Sequence, residues 1–279
     1  MKKLLVFIYV VGAFLSLNAQ VNDGVYEKEH VPSRKPIPYP FLREADVMWS
    51  KKIVRCLPLR EKLNHPLYYP TEQMGTRMSL TNLIMYGVSN EGLTAYDAMV
   101  DDKFTVPLTK AQINQNFGAG MDTVSILNEQ TGLEERTPIE KPAILSEVKR
   151  MLMKEEWFMD RQRSVLEVRI IGLTGIREYY RKEDVEKEEV LLKKVFMVYF
   201  PEARRLFASH EVFNEKNDAE RRTFDDIFFK RKFSSFVTQE SNVYDDRGIN
   251  EYKVGLQAML EAEKVKYWIF NFEHDMWEF

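Results

Sequence analysis

The stretch SVLEVRIIGLTGIREYYRKEDVEKEEVLLKKVFMVYF, Ser164 to Phe200, decides the fold. In its first part Leu166, Val168 and Ile170 fall on one face, while Glu167 and Arg169 share the other with Val165 and Ile171. That period of two is the signature of a half-buried strand. Val195 to Phe200 is apolar on both faces and bounded by Lys193-Lys194 and Pro201, which predicts a strand sandwiched between other elements and central in its sheet. Between the two, Arg177 to Lys194 is too charged to enter a core and long enough for an extended hairpin tip. The expected class is α+β: a central, mostly antiparallel sheet with strands near 164–173 and 194–200, flanked by helices.

Working outward to the amino terminus, Lys2-Lys3, an apolar run from Leu4 to Leu17 and Asn18-Ala19 read as a secretory signal over residues 1–19. Removing it takes away two lysines and no carboxylate, so the formal net charge moves from −3 to −5. With no long basic block, nucleic acid is excluded as the expected partner. The single cysteine, Cys56, cannot close an internal disulfide, and it stands far from the expected cleavage point, where Gln20 occupies the position a lipid-accepting cysteine would need. No later apolar run reaches the ~20 residues of a spanning helix. The 279 residues, 44% apolar and 30% charged, suit a globular chain with an adequate core.

Residues 20–40 carry Pro32, Pro36, Pro38 and Pro40 and read as an extended, proline-rich arm, with 41–279 forming the α+β domain. From Phe41, the spacing of Leu42, Ala45, Trp49, Ile53 and Cys56 predicts a helix stopped by Pro58, with Cys56 a buried, inert thiol. Leu63 to Pro70, with Tyr68 and Tyr69, predicts an extended aromatic loop. Ser79 caps a short helix over Leu80–Met85, and Thr109 with Gln112 forms a capping box for a helix closed by Gly118. Thr94–Tyr96 and Phe104–Val106 read as strands joined by a turn containing Asp101-Asp102, and 122–142 as strand and loop. Ile144, Val148, Leu152 and Glu155 predict a helix from Pro142 to Trp157. Pro201–Arg205 reads as a turn or short helix.

Thr223-Phe224-Asp225-Asp226 is a second capping box. Downstream, Phe224, Ile227 and Phe228 mark one helix face, and Phe229, Phe233 and Phe236 an adjacent one. That arc is broad for a surface helix, so the second face is available to another chain. The last element, from Ile249, ends in Trp277-Glu278-Phe279, a tail expected to dock on its own domain or on a partner. The candidate partner surface is therefore Tyr68, Tyr69, Phe229, Phe233, Phe236 and Trp277.

Catalytic signals are weak. His30, His65, His210 and His274 lack metal-ligand spacing, no Gly-x-Ser-x-Gly elbow occurs, and Gly118-Ala119-Gly120 lacks the remainder of a phosphate loop. The paired aspartates at 101–102, 225–226 and 245–246 are explained by turn or cap duty. No catalytic, cofactor or metal residue is assigned, and the pattern favours an interaction protein. The alternative is a periplasmic enzyme or ligand-binding protein with a cleft built from Asp225, His274 and Tyr69.

Three groups of motifs resemble one family. Asp46 to Lys52 followed by Pro66-Leu67-Tyr68-Tyr69-Pro70, then Glu155-Glu156-Trp157-Phe158 with Val168 to Gly172 and Tyr199-Phe200-Pro201-Glu202, then Asn217 to Phe228, Ser234-Ser235 and Phe272-Glu273-His274-Asp275 are similar in order to the gliding-motility GldN/PorN family. The resemblance implies a periplasmic subunit of the type IX secretion machinery of Bacteroidota. It implies a ring with a GldK/PorK-like lipoprotein under the outer membrane, and communication with a GldL/GldM (PorM-like) motor. It supplies no catalytic residue.

Overall fold

The computed structural model describes residues 31–127, 134–180, 189–217 and 219–275. The signal segment 1–19, the arm before Val31, residues 181–188 of the expected hairpin tip Arg177–Lys194 and Trp277 lie outside the described residues, while both ends of that tip belong to strands, to Tyr179 and from Leu191. In chain order the elements are β1 (Val47–Pro58), α1 (His65–Tyr68), α2 (Leu80–Tyr86), β2 (Ala95–Tyr96), α3 (Lys110–Asn116), β3 (Gly120–Leu127), β4 (Glu134–Lys141), β5 (Val148–Asp160), β6 (Val165–Tyr179) and β7 (Leu191–Tyr199). They continue with α4 (Phe200–Ser209), α5 (Phe224–Phe229), β8 (Phe236–Glu240), α6 (Ile249–Tyr252) and α7 (Leu256–Asp275).

Six strands form one sheet in the order β2-β7-β6-β5-β1-β8, every neighbour antiparallel, and β3 with β4 forms a separate two-stranded sheet. The α+β class with an antiparallel central sheet is therefore the observed one. The strand read from Val165 is the third in the sheet and runs on to Tyr179. The strand read from Val195 has Val195, Phe196, Met197 and Val198 all buried, as its composition requires. It is not central, because only the two residues of β2 pair with its outer side.

Two expected helices are strands. In β1, Trp49, Ile53, Arg55 and Leu57 turn inward while Met48, Ser50 and Lys52 stay exposed, and in β5, Met151, Met153 and Glu155 are buried. Both segments fit a period of 3.6 as well as 2, and Met, Lys, Glu and Leu are good helix formers. Pairing β1 with β5 over Val47–Pro58 and Val148–Asp160 overrides that preference. The expected strand at Phe104–Val106 is irregular: Phe104 takes φ +57°, and its ring folds over Gly172, where a Cβ would stand 2.5 Å from Phe104 Cζ. Leu63–Pro70 is not extended, since Pro66 occupies the first turn of α1, where no amide donor is needed.

The local cap signals hold. Ser79 Oγ accepts from Asn82 N, and Thr109 and Gln112 make a reciprocal box before α3. Thr223 and Asp226 do the same before α5. That helix ends at Phe229, however: Arg231 adopts φ +52° and Phe236 belongs to β8, so Phe229, Phe233 and Phe236 do not share one helical face.

The main core packs α2, α4 and α5 on the sheet, with Phe196, Phe200, Phe207, Phe224 and Phe228 essentially inaccessible. A smaller core lies beneath α7, where Ala258, Ala262, Val265 and Ile269 meet Ile53, Leu166 and Val237, with Trp49 and Trp157 at its border. Cys56 is buried, and burial pushes its thiol up to about 11.

Candidate partner surface

The described sequence-derived aromatics divide into two kinds. Tyr68 is half-buried against the main core, and its hydroxyl donates to the Ser146 carbonyl at 2.8 Å. Burial raises the Tyr68 phenol above its ordinary value. Phe233 is likewise a packing residue, 6.0 Å from Phe228 between ring centroids. Tyr69, Phe229 and Phe236 are the exposed members, at 52%, 46% and 45%. Tyr69 stands edge-on to Tyr68 and His65.

The loops carrying these residues are joined by one buried amide. Asn64 Nδ2 donates to the carbonyls of Pro58 and Ser234, and Asn64 Oδ1 accepts from Ser234 N at 2.9 Å. The α1 turn and the Phe233–Phe236 segment therefore form one ledge.

Phe229 faces the chain's own arm. The Tyr39 ring stacks on it at 6.3 Å, with the Arg204 guanidinium 4.2 Å and the Arg169 guanidinium 5.1 Å from the Tyr39 centroid. Burial raises the Tyr39 phenol, and Arg204 opposes the rise. Arg204 is itself buried and held by both oxygens of Asp225, at 2.9 and 3.1 Å. Arg169 also donates to the Pro40 carbonyl. Farther up the arm, Arg34 grips both oxygens of Asp226 at 2.8 and 3.0 Å and the Arg221 carbonyl at 3.0 Å, and Val31 is buried. The two cap aspartates thus have a second duty that their local motif does not reveal: Asp225 fixes the floor of the Tyr39 cage, and Asp226 holds the strap above it.

Between the two cores lies Glu155, with no exposed surface. Arg55 Nε sits 3.1 Å from Oε2 and Arg231 Nη1 2.7 Å from Oε1, while Trp157 Nε1 donates to Oε2 at 3.1 Å. The Arg55 Nε and Glu155 Oε1 contacts are close ion pairs without hydrogen-bond alignment. Burial lowers the Arg55 pKa, and the Glu155 charge opposes that.

The residues of the cleft alternative have other occupations. Asp225 is committed to Arg204, Tyr69 belongs to the α1 cluster, and His274 lies near the end of α7 beside Phe270. Among the described residues, no group of three His, Cys, Asp or Glu side chains is placed to hold a metal ion, and no helix is long and apolar enough to cross a membrane. Open clefts are present among the described residues. One of about 580 Å³ lies between Pro32–Lys35 and α4, with charges of both signs from Arg34, Lys35, Arg205, Glu91 and Glu202.

The outer side of α7 carries exposed apolar side chains that the sequence-derived partner surface does not include. Leu256, Met259, Leu260, Tyr267 and Phe270 are 56–71% exposed and recur at helical steps opposite the Ala258, Ala262, Val265, Ile269 stripe. On that outer side Glu263, Lys264 and Lys266 separate two exposed apolar groups, Leu256–Leu260 and Tyr267–Phe270, both legible in the sequence of 256–270.

No curated protein matches the chain. A family model described as gliding motility associated protein GldN matches residues 42–278, from just before β1 to the carboxy terminus, and the chain belongs to the GldN family.

Proposed function

We infer that the protein is a non-enzymatic, periplasmic structural subunit of the type IX secretion and gliding machinery. It assembles into a ring with a GldK/PorK-like lipoprotein beneath the outer membrane and receives motion from a GldM/PorM-like motor subunit. Membership of the GldN family supports the machinery, and the expected signal at residues 1–19 supports the compartment. The observation that carries the structural role is α7, whose 20 residues pack inward through small side chains and present Leu256, Met259, Leu260, Tyr267 and Phe270 outward. Exposed apolar groups of this size on either side of the charged Glu263–Lys266 turn favour cover by a second chain.

The exposed ledge of Tyr69 and Phe236 and the half-covered Phe229 offer a second contact area around α1 and β8, and a ring requires two unlike contact areas on each subunit. Gentle extraction of the envelope followed by affinity isolation of the tagged chain tests this reading. Recovery of the lipoprotein with many copies of the chain is expected; recovery of the chain alone as a monomer overturns it.

A further inference from the structure

We propose that the outer edge of β3 is a self-association surface, on which β3 of a second copy pairs antiparallel to join two hairpins into one four-stranded sheet. This rests on the reading of the protein as an assembling subunit and adds a specific contact between copies. The β3–β4 register runs without interruption from Gly120↔Lys141 to Leu127↔Glu134, yet among the described residues neither strand pairs with the six-stranded sheet. A lone two-stranded hairpin is marginal in water, so it gains by adding strands.

Its base is fixed. Arg177 of β6 has a side chain 8% exposed; its Nε meets the Glu147 carboxylate just after β4, and its Nη1 donates to the Asn116 carbonyl just before β3. It lies against Gly118, whose φ is +74° and where a Cβ would stand 2.6 Å from Arg177 Nη1. One arginine thus ties both ends of the excursion to the main sheet, and the hairpin is presented from a defined position.

The two edges differ. β4, EERTPIEK, has five charged residues in eight and Pro138, the devices by which exposed edges are protected from pairing. β3, GMDTVSIL, has one charge and no proline, and Met121 at its start is 80% exposed. Pro138 has no amide hydrogen, so it fits an unbroken ladder where its nitrogen points away from β3. Thr123, opposite Pro138, then also points its amide outward, and the alternation makes Met121, Thr123, Ser125 and Leu127 the donors directed away from β4 along the β3 edge.

Those donors define a register. With Val124 on a two-fold axis, Met121 faces Leu127, Asp122 faces Ile126 and Thr123 faces Ser125 of the other copy. The strand is used from 121 to 127, and no like charges are opposed.

The test uses the full chain. In this register Val124 opposes itself in a non-hydrogen-bonded pair, with Cα atoms ~4.5 Å apart, inside the range a disulfide spans. Val124→Cys is expected to give a covalent dimer under mild oxidation, whereas Thr137→Cys, its neighbour on β4, and the unsubstituted chain with buried Cys56 do not. Ser125→Pro removes an outward donor while keeping the hairpin's own ladder, and is expected to abolish the Val124→Cys cross-link when the two changes are combined. The proposal is overturned if Val124→Cys links copies no better than Thr137→Cys, or if Ser125→Pro leaves the Val124→Cys cross-link intact. It is also overturned if Ser125→Pro releases a different envelope protein while copies never cross-link, since another chain then owns the edge. Loss of the β3 contact with the lipoprotein still recovered leaves the assembly reading standing; recovery of an unaccompanied monomer from the envelope removes that reading on separate grounds.

Discussion

Arg231 Nη1 lies 2.7 Å from Oε1 of Glu155, a carboxylate with no exposed surface, and reaches it from a left-handed backbone position at the end of α5. The pair joins the loop after α5 to the middle of β5, on the boundary between the two cores. With Arg55 on the other oxygen, two cations share one buried anion.

Glu155→Gln should therefore be among the most destabilising conservative changes in the molecule. It leaves Arg55 buried without its counter-ion, a loss of ~3–5 kcal/mol when one partner of a buried pair is removed. Urea unfolding with an unchanged m-value would show it. A loss below ~1 kcal/mol would mean that solvent already screens the pair.

The same logic separates two neighbouring phenylalanines. Phe228 is 1% exposed and packs against Phe200, Phe207 and Phe233, so Phe228→Ala should cost ~3–5 kcal/mol through the cavity it leaves. Phe228→Asp should unfold the chain. Phe229→Asp should leave the circular dichroism spectrum intact, loosen the arm at Tyr39 and weaken partner binding. The reverse pattern would contradict the assignment of the two faces.

Asp226 makes the arm acid-sensitive. Burial alone would raise its pKa, but bonds from the Thr223 backbone and hydroxyl, and then the charges of Arg34 and Lys230, bring it below the ordinary 3.8. A carboxyl depressed in the folded state stabilises above its unfolded value and loses that contribution as pH falls through the lower, folded one. Hydrogen exchange over 31–40 should therefore accelerate below about pH 4, the ordinary aspartate range. Asp226→Asn should show faster exchange at neutral pH. Because Arg34 is more than a third exposed, its own ion pair is worth ~0.2–1 kcal/mol and should weaken with salt.

Cys56 supplies a reporter of global unfolding. Its thiol, pushed up to about 11 by burial, should resist alkylation at pH 8 in buffer and react fully in denaturant. Labelling of the native chain at the rate of a free thiol would place Cys56 on the surface.

How far the fold was legible depends on where the information sits. Ser79, Thr109 with Gln112 and Thr223 with Asp226 act within three residues, so their helices could be placed from local chemistry. The strand beginning at Val165 declares itself through β-branched alternation. β1 and β5 do not, because their buried faces include Arg55 and Glu155, an ion pair that looks like two solvent residues until the strands are paired.

The Tyr39 cage was invisible for a related reason. Arg34 and Asp226 are 192 residues apart, and nothing local marks Arg204 as the floor beneath a tyrosine. Among the six proposed partner residues, the exposed Tyr69, Phe229 and Phe236 could not be told from the packing residues Tyr68 and Phe233 by type alone.

The central claim is that this molecule works by being held in an assembly, and the outer side of α7 is where that claim is most exposed. Met259→Glu with Phe270→Glu should keep the melting temperature of the isolated chain, since both side chains are at least 60% exposed, while the envelope complex isolated through the lipoprotein loses the chain. Full retention of the doubly substituted chain in that complex would contradict the account.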